Sequence, residues 1–409
     1  MTPMNYLSFL VTALLILIIA LFGFFPPFID WHSNRVLSSD QASIADQAIE
    51  LHKKLFIGDW HADSTLWSRD LSLRHSRGHL DIPRMQDGNV ALQMFTSVTQ
   101  AASNSSYTYN VENARDEITL LAIAQHWPLA TWTNLTERAA HQAKKLRDIA
   151  RFNQSNFMLI TSQTDLAEFL DKRQLNSKLV GGLLGIEGSH ALEGQISNIK
   201  YLFDLGFRMM SLQHFFDNQL GGSLHGESRS GLTFFGRKAL FEMQRLNIIV
   251  DLSHSSEKVV RDVLEVSKKP VVLSHTGFLG HCPSARNISE QLMREITSNG
   301  GLIAVGFWEG AICGNTPRAV ADAISYGVKL LGDDAVSLGS DFDGNITTTF
   351  DASELILLTQ NLLDLGLSEK QIKKVMGENM MPTDPELLEG YQHREAGLAG
   401  QLNIESIDG

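Results

Sequence analysis

The sequence predicts an α/β fold, a (β/α)₈ barrel of the TIM type preceded by an N-terminal transmembrane helix. Three observations support this prediction. Eight short apolar runs alternate with longer stretches of helical periodicity, polar residues follow most of these runs, and one uncharged apolar stretch precedes them all. The chain has 409 residues, 43% of them hydrophobic, and can therefore bury the core of such a barrel.

The first predicted element is the stretch from Tyr6 to Phe25, which reads YLSFLVTALLILIIALFGFF. It carries no charge and is long enough to cross a bilayer as one helix. No Lys or Arg precedes it, and Pro26 and Pro27 follow where a signal peptide would have small residues at its cleavage site. Residues 1–35 are therefore a membrane anchor or signal segment, with an uncleaved single-pass anchor favoured. Arg35 is the only basic residue close to either end, so charge does not orient the helix.

The barrel is predicted to occupy residues 36–381. A helix is expected from Ser38 to Lys54, and the near-continuous apolar runs that follow are typical of parallel strands covered by helices. The eight predicted strands lie in LFIGDWHAD, VALQMFTSV, GGLLGIEGSH, RMMSLQHF, NIIVDLSHSS, PVVLSHTG, GLIAVGFW and AVSLGSDFDG. An open doubly wound sheet is the alternative, but no Gly-x-Gly-x-x-Gly follows the first run.

Two further segments are expected outside the barrel strands. A helical insertion at about residues 101–178 contains the patterns ENARDEITLLAIAQHW and TERAAHQAKKLRDIARF, and is expected to pack beside the barrel. Residues 382–409 form a polar C-terminal tail, interpreted as a flexible arm or as an oligomer contact, for example in a homodimer.

The charge and the cysteine content limit the classes of partner and compartment. A formal net charge of −12, without a basic run interleaved with aromatic residues, argues against nucleic acid as a partner. The two cysteines, Cys282 and Cys313, suit either two buried thiols in a cytosolic protein or one disulfide in an exported protein.

Polar side chains at the ends of the predicted strands indicate a metal centre. The C-terminal strand ends of such a barrel surround one mouth, so side chains there should converge. The residues at these ends are His61, Asp63, Glu187, His214, His254, His275 and Asp341. Nitrogen and oxygen ligands without a cysteine cluster suit zinc or, less selectively, manganese, cobalt or iron. The pairs His61/Asp63 and His254/His275 exceed what one open catalytic zinc needs, so we expect two ions that share Glu187.

In this order along the chain, the motifs resemble those of the membrane dipeptidase family, also called renal dipeptidase, a barrel family of dinuclear zinc peptidases. The resemblance covers about Leu55 to Asn379. The motifs are DWHADS, HLDIPRMQDGNVALQMF, GIEGSHAL, SLQHFFDN, DLSHSS, VLSHTG, CPSARN and LGSDFDG.

The resemblance implies a role for each site residue. His61 and Asp63 would bind one zinc ion, His254 and His275 the other, with Glu187 bridging them. His214 would contact the reacting carbonyl of the substrate, Arg286 its terminal carboxylate, and Asp341 its amino group. Cys282 and Cys313 resemble a disulfide pair of the family, which implies a membrane-anchored barrel on the periplasmic or extracellular side.

The expected activity is zinc-dependent hydrolysis of dipeptides by a hydroxide that bridges the metals. Glu187, His214 and Asp341 are the expected catalytic residues: His214 stabilises the oxyanion, and Asp341 either passes a proton to the leaving amine or only holds the substrate's ammonium group. One alternative is a dinuclear amidohydrolase that acts on cyclic amides, although such enzymes commonly have His-x-His where this chain has His61 and Asp63. The other is a membrane-tethered barrel without catalysis.

Overall fold

The computed structural model describes residues 3–37 and 43–381, and its central feature is a closed barrel of eight parallel strands. The barrel strands are β1 (Ile57–Ala62), β2 (Val90–Val98), β3 (Val180–Glu187), β4 (Phe207–Ser211), β5 (Ile249–Asp251), β6 (Val272–Thr276), β7 (Leu302–Val305) and β8 (Val336–Leu338). Each strand pairs in parallel with the next, and Leu338 of β8 pairs with Asp59 of β1. Each strand overlaps one of the predicted apolar runs, so the predicted barrel is confirmed.

Helices follow the strands and pack around the barrel. The α-helices among the described residues are Pro3–Ile19, Phe25–Ser33, Asp46–Lys53, Ile82–Asp87, Ile118–Ala124, Leu135–Phe152, Gln163–Leu175, Ser197–Asp204, Phe234–Arg245, Glu257–Val266, Glu290–Ser298, Glu309–Ile312, Pro317–Leu331, Ile356–Asp364 and Glu369–Met376. A large apolar core joins most of the helices after Ala45 to the outer faces of the strands. In β3, Leu184 and Ile186 belong to that core, so Glu187 points to the opposite face, into the barrel.

The N-terminal stretch forms one apolar helical rod. A π-helical segment, Ala20–Phe24, joins the helices Pro3–Ile19 and Phe25–Ser33. The part from Ser8 to Ser33 has a mean hydropathy of 2.8 over its most apolar window, and its length and composition suit a membrane anchor or a signal sequence. The helical path continues through Pro26 and Pro27, which stand in the first turn of the second helix, the position where proline is best tolerated.

Three sequence predictions about elements need correction or fall outside the structure. The helix expected from Ser38 to Lys54 begins only at Asp46, because Ala45 is extended, while residues 38–42 lie outside the described residues. In ENARDEITLLAIAQHW only Ile118–Ala124 is helical. The predicted tail, residues 382–409, also lies outside the described residues.

The insertion contains more than its two predicted helical patterns. The second pattern, TERAAHQAKKLRDIARF, forms the helix Leu135–Phe152 as expected. A short strand, Phe157–Leu159, then pairs with the first residues of β3, and the helix Gln163–Leu175 follows. These elements fasten the insertion to the barrel wall.

A disulfide and a short strand pair connect segments that are distant in sequence. Cys282 and Cys313 form a disulfide, which confirms the pairing that the family resemblance implied. A two-residue strand, Arg35–Val36, pairs in parallel with Thr347–Thr348 in the loop that follows β8. The second connection joins the N-terminal helical rod to the loop that carries Asp341.

Candidate active site

The predicted site residues meet at the C-terminal end of the barrel. His61 and His275 lie within β1 and β6, and Glu187 is the last residue of β3. Asp63 follows β1 directly, while His214, His254 and Asp341 each stand three residues beyond a strand. The backbones of His254 and Asp341 are left-handed, with φ of 63° and 62°, which is uncommon for residues other than glycine and is found at functional sites.

The Glu187 carboxylate lies at the centre of the site. Its Oε1 is 3.2 Å from the Nε2 atoms of both His254 and His275, and 3.6 Å from Nε2 of His61. Its other oxygen, Oε2, is 3.5 Å from Nε2 of His214. Asp63 approaches from the far side of His61, with 3.5 Å between Asp63 Oδ1 and His61 Nε2. These side chains are all buried, and Glu187 has several potential ligand atoms within 3.6 Å.

The side chains fit metal ions. His61, Asp63 and Glu187 form one potential ligand group, and Glu187, His254 and His275 form another, each with ligand atoms within 4.8 Å of one another. A third group, His61, His275 and Asp341, overlaps both. Nε2 of His61 is buried without a hydrogen-bond partner among the described residues, although it faces carboxylates. A buried imidazole nitrogen that makes no hydrogen bond but faces carboxylate oxygens suits a metal ligand.

Ser274 and Asp251 orient two of the imidazoles. The Ser274 hydroxyl donates to Asp251 Oδ2 at 2.7 Å and lies 3.0 Å from Nδ1 of His61 and 2.9 Å from Nδ1 of His275. A hydroxyl has one hydrogen to donate and two lone pairs. Since its hydrogen is used on Asp251, it accepts from both Nδ1 atoms. This places a ring proton on Nδ1 of each histidine and turns each Nε2 toward the potential metal site.

Burial lowers the pKa values of two candidate ligand histidines, and neighbouring carboxylates raise the pKa of a third. Burial lowers the pKa of His254 and His275 well below the usual value, and the charges of Arg286 and His61 respectively add to this effect. Burial also opposes charge on His61, but the carboxylates of Glu187 and Asp63 raise its pKa well above the usual value. His254 and His275 are therefore neutral, the form in which imidazole binds metal.

The carboxylates are also shifted. Burial alone would raise the pKa of Glu187, but the neighbouring His214 and His61 hold it well below its usual value. Burial raises the pKa of Asp341 well above its usual value. The anionic form of Glu187 is thus stabilised by the same histidines that surround it.

Arg286 and two aromatic residues line the cavity next to the ligands. Arg286 Nη2 donates to the backbone oxygen of His275 at 2.6 Å, and Arg286 Nε is buried without a partner among the described residues. The guanidinium lies 5.4 Å from the ring of Trp308, whose Nε1 donates to the Tyr107 hydroxyl at 2.7 Å. The cavity has a volume of about 470 Å³ and is bordered by Asp341 and by the metal-ligand candidates. Its unsatisfied buried donor suits an anionic group of a ligand.

Sequence reasoning did not identify several residues of this site. Ser274 and Asp251 stand next to predicted ligands in VLSHTG and DLSHSS, so a hydroxyl or carboxylate beside a ligand histidine was an available signal. Tyr107 gave no such signal, because only tertiary packing brings the insertion to the mouth, whereas Trp308 closes the predicted run GLIAVGFW and so stands at a strand end. His225 was left unassigned, yet its ring centroid is 5.2 Å from that of His254.

Comparisons with known proteins agree with the geometry. A family model described as Membrane dipeptidase (Peptidase family M19) matches residues 45–384. Dipeptidase aclJ of Aspergillus oryzae is 28% identical over 369 residues, which cover 85% of this chain and 81% of the relative.

Two solved structures share the fold. A metallopeptidase from Rhodobacter sphaeroides, liganded with a phosphinate mimic of the dipeptide L-Ala-D-Ala, is 24% identical with a TM-score of 0.66, over 82% of this chain and 99% of that chain. An amidohydrolase from Pseudomonas aeruginosa is also 24% identical, with a TM-score of 0.62, over 81% of this chain and 96% of that chain.

Proposed function

Because the chain belongs to the membrane dipeptidase family and is a metallo-dipeptidase, we propose that it uses two zinc ions to hydrolyse the peptide bond of free dipeptides. The observation that supports this proposal is the position of Glu187, which belongs both to the potential ligand group with His61 and Asp63 and to that with His254 and His275. A bridging carboxylate leaves each ion with few protein ligands, as catalytic sites require.

Bound zinc ions would polarise a substrate carbonyl and lower the pKa of a water molecule from about 15.7 toward 7. The protein holds these ions through His61, Asp63, Glu187, His254 and His275. The Ser274 hydroxyl accepts from Nδ1 of both His61 and His275, so in each ring Nε2 is the nitrogen available to bind zinc. Deep burial of the same side chains excludes competing water from the ligand atoms.

His214 is the proposed donor to the developing oxyanion. Its Nδ1 lies 3.2 Å from the backbone oxygen of Gln100, an atom that can only accept, so Nδ1 carries a proton. Donation from Nε2 as well requires the doubly protonated ring. The Nε2 atom lies 3.5 Å from Glu187 Oε2 and so faces the ligand cluster, where a donor to the oxyanion is needed.

Arg286 and Asp341 are proposed to bind the two charged termini of the substrate. Arg286 offers its unpaired Nε to the free carboxylate, and its fork can bind two oxygens at once. The Asp341 carboxylate, whose Oδ1 is 4.0 Å from His61 Nε2, is placed to hold the substrate's ammonium group or to pass a proton to the leaving amine. A dipeptide satisfies both charges, whereas a longer or amidated peptide leaves one of them unpaired.

The proposal extends to the location of the enzyme. The apolar part of the rod before Phe25 would anchor the protein in a membrane, with the barrel on the non-cytosolic side. The disulfide between Cys282 and Cys313 supports that side, because such bonds persist in oxidising compartments.

Hydrolysis assays with matched substrates test the proposed function. For the zinc-loaded wild type, we expect kcat/KM for Ala-Ala to exceed that for Ala-Ala-amide and Ala-Ala-Ala by at least about tenfold. Arg286→Lys keeps the charge but loses the two parallel donors of the guanidinium. It should therefore lower the ratio of kcat/KM for Ala-Ala to that for Ala-Ala-amide by about tenfold, with both metals retained. Equal rates on amidated dipeptides or cyclic amides would support the amidohydrolase alternative. A fully metal-loaded protein without hydrolysis would support a non-catalytic barrel.

A further inference from the structure

The helix Phe25–Ser33, here called the mouth helix, forms part of the wall of the active-site cavity. Phe25, Ile29 and Ser33 line the same cavity as Glu187 and Arg286. The mouth helix is continuous with the apolar N-terminal rod, and it lies outside residues 45–384, the part of the chain matched by the family model. This part of the cavity wall is therefore built by a segment that the family resemblance does not describe.

A buried ion-pair network fixes the mouth helix to the barrel. Asp30 is fully buried, and its Oδ2 lies 2.9 Å from Arg69 Nε and 2.8 Å from Arg77 Nε. Arg69 also binds Asp343, with 2.7 Å between Nη2 and Oδ2. Asp343 stands two residues after Asp341, so one arginine joins the mouth helix to the loop that carries a substrate-binding candidate.

Backbone contacts fix the end of the mouth helix to the same loop. The side chain of Asn34 donates to Asp30 Oδ1 at 3.0 Å and accepts from the backbone nitrogen of Asn345 at 3.1 Å. The strand Arg35–Val36 then pairs with Thr347–Thr348. Because side-chain and backbone contacts act together, the inner face of the helix keeps one position relative to the cavity.

The inner face of the mouth helix is apolar where it meets the cavity. Ile29 packs against a buried cluster that contains Leu66, Trp67, Ile118 and Leu121, and these residues also line the cavity. The cavity thus has charged groups and metal ligands on one side and a hydrocarbon wall on the other. Phe28, three residues after Phe25, is 56% exposed on an adjacent, solvent-facing part of the helix and does not line the cavity.

We propose that the mouth helix determines substrate specificity, and that its apolar wall selects dipeptides with a large apolar side chain. This inference rests on the proposed dipeptidase function and adds a substrate class to it. The charged groups hold the two termini of the dipeptide, and the side chain loses its contact with water against Phe25 and Ile29. The gain increases with the apolar area of the side chain, so Leu-Leu binds this wall better than Ala-Ala.

Matched substitutions on the two faces of the mouth helix test this inference in the full-length, zinc-loaded protein in detergent. Phe25→Ala removes part of the wall, and Phe28→Ala removes the same ring from the outer face. We expect Phe25→Ala to lower the ratio of kcat/KM for Leu-Leu to that for Ala-Ala by at least about fivefold. Phe28→Ala, at a side chain that does not line the cavity, should leave the ratio unchanged.

A second variant and two controls separate the outcomes. Ile29→Ala should lower the ratio in the same direction as Phe25→Ala, while the metal content and Tm of each variant show that the site and fold persist. An unchanged ratio in active Phe25→Ala and Ile29→Ala enzymes overturns the role of the mouth helix. If the wild type hydrolyses neither dipeptide, the proposed function itself fails.

Discussion

At the scale of single residues, Glu187 has the most consequential position in the molecule. Its two oxygens face four imidazoles, and Oε1 alone is 3.2 Å from the Nε2 atoms of both His254 and His275. Without a cation between them, these buried nitrogen and oxygen atoms would lie close together with too few hydrogen-bond donors among them. Metal ions resolve this crowding, so the site depends on the negative charge of one carboxylate.

Glu187→Gln tests that dependence with little change in volume. The amide lacks the charge needed to bridge two cations, so we expect the zinc content to fall from two ions per chain to one or fewer. We expect kcat/KM to fall by at least about a hundredfold. Elemental analysis of protein purified without chelator measures the metal content, and Glu168→Gln, in an exposed ion pair with Lys172, serves as the control. Two ions retained in Glu187→Gln would remove the bridging role.

The sequence allowed prediction of the ligand candidates but not of the residues that orient them. His61, Glu187 and His275 stand at strand ends, and a barrel brings such positions to one mouth whatever the details of packing. The role of Ser274 depends on a hydroxyl shared between side chains of β1 and β6, which only the closed barrel creates. Tyr107 reaches the site from an insertion whose path no local pattern determines.

At the scale of elements, the mouth helix shows how one buried charge can position a whole segment. Burial opposes charge on Asp343, but Arg69 holds the pKa of Asp343 well below its usual value. Asp30 gives Arg69 its second carboxylate partner. Removing one partner from such a buried group leaves uncompensated charge behind, so the helix depends strongly on this aspartate.

Asp30→Asn should lower the free energy of unfolding by roughly 3 to 5 kcal/mol, the usual cost of breaking a buried ion pair. Asp322→Asn is the matched control, because Asp322 pairs with Arg318 on the surface, where we expect a loss of about 1 kcal/mol or less. Thermal unfolding of both variants in the same detergent measures the difference. Equal shifts for the two variants would show that the network around Asp30 does not hold the helix.

The sequence predicted helices well where their periodicity was uninterrupted. The helix Leu135–Phe152 agrees with its pattern, whereas ENARDEITLLAIAQHW forms helix only from Ile118. The reason is Asp116, which accepts hydrogen bonds from the backbone of Ile118 and the hydroxyl of Thr119, and is paired with Arg138. A side chain that binds the backbone just ahead of a helix sets its start, and the ion pair that holds Asp116 comes from a distant element.

At the scale of the whole molecule, the alternation of strands and helices predicted the barrel, but its closure required the complete chain. β8 meets β1 through a single pair, Leu338 with Asp59, although these residues are far apart in sequence. The fold also buries, wholly or in part, histidines that lie outside the metal cluster. Burial lowers the pKa of His52 and of His141 to about 4, and that of His190 and of His225 to about 3.

This burial predicts a loss of stability in mild acid. An unfolded histidine takes up a proton near pH 6.5, whereas His52 in the folded protein does so only near pH 4. Between these values the unfolded state binds more protons, so the free energy of unfolding must fall as the pH falls. For His52 alone the loss reaches about 3 kcal/mol at pH 4 as an upper estimate, and it is absent above about pH 7.

His52→Gln isolates this contribution, since His52 lies away from the metal cluster and its Nδ1 is 2.8 Å from the Thr359 hydroxyl, a contact that an amide can also make. Loss of zinc in acid destabilises the wild type and the variant alike, so it cancels in their difference. We expect the free energy of unfolding of the variant to fall less steeply between about pH 6.5 and 4. Denaturant titrations at a series of pH values measure both curves. Parallel curves across that range would show that His52 takes up its proton equally in the folded and unfolded chains, contrary to its burial beneath the helix Ile356–Asp364.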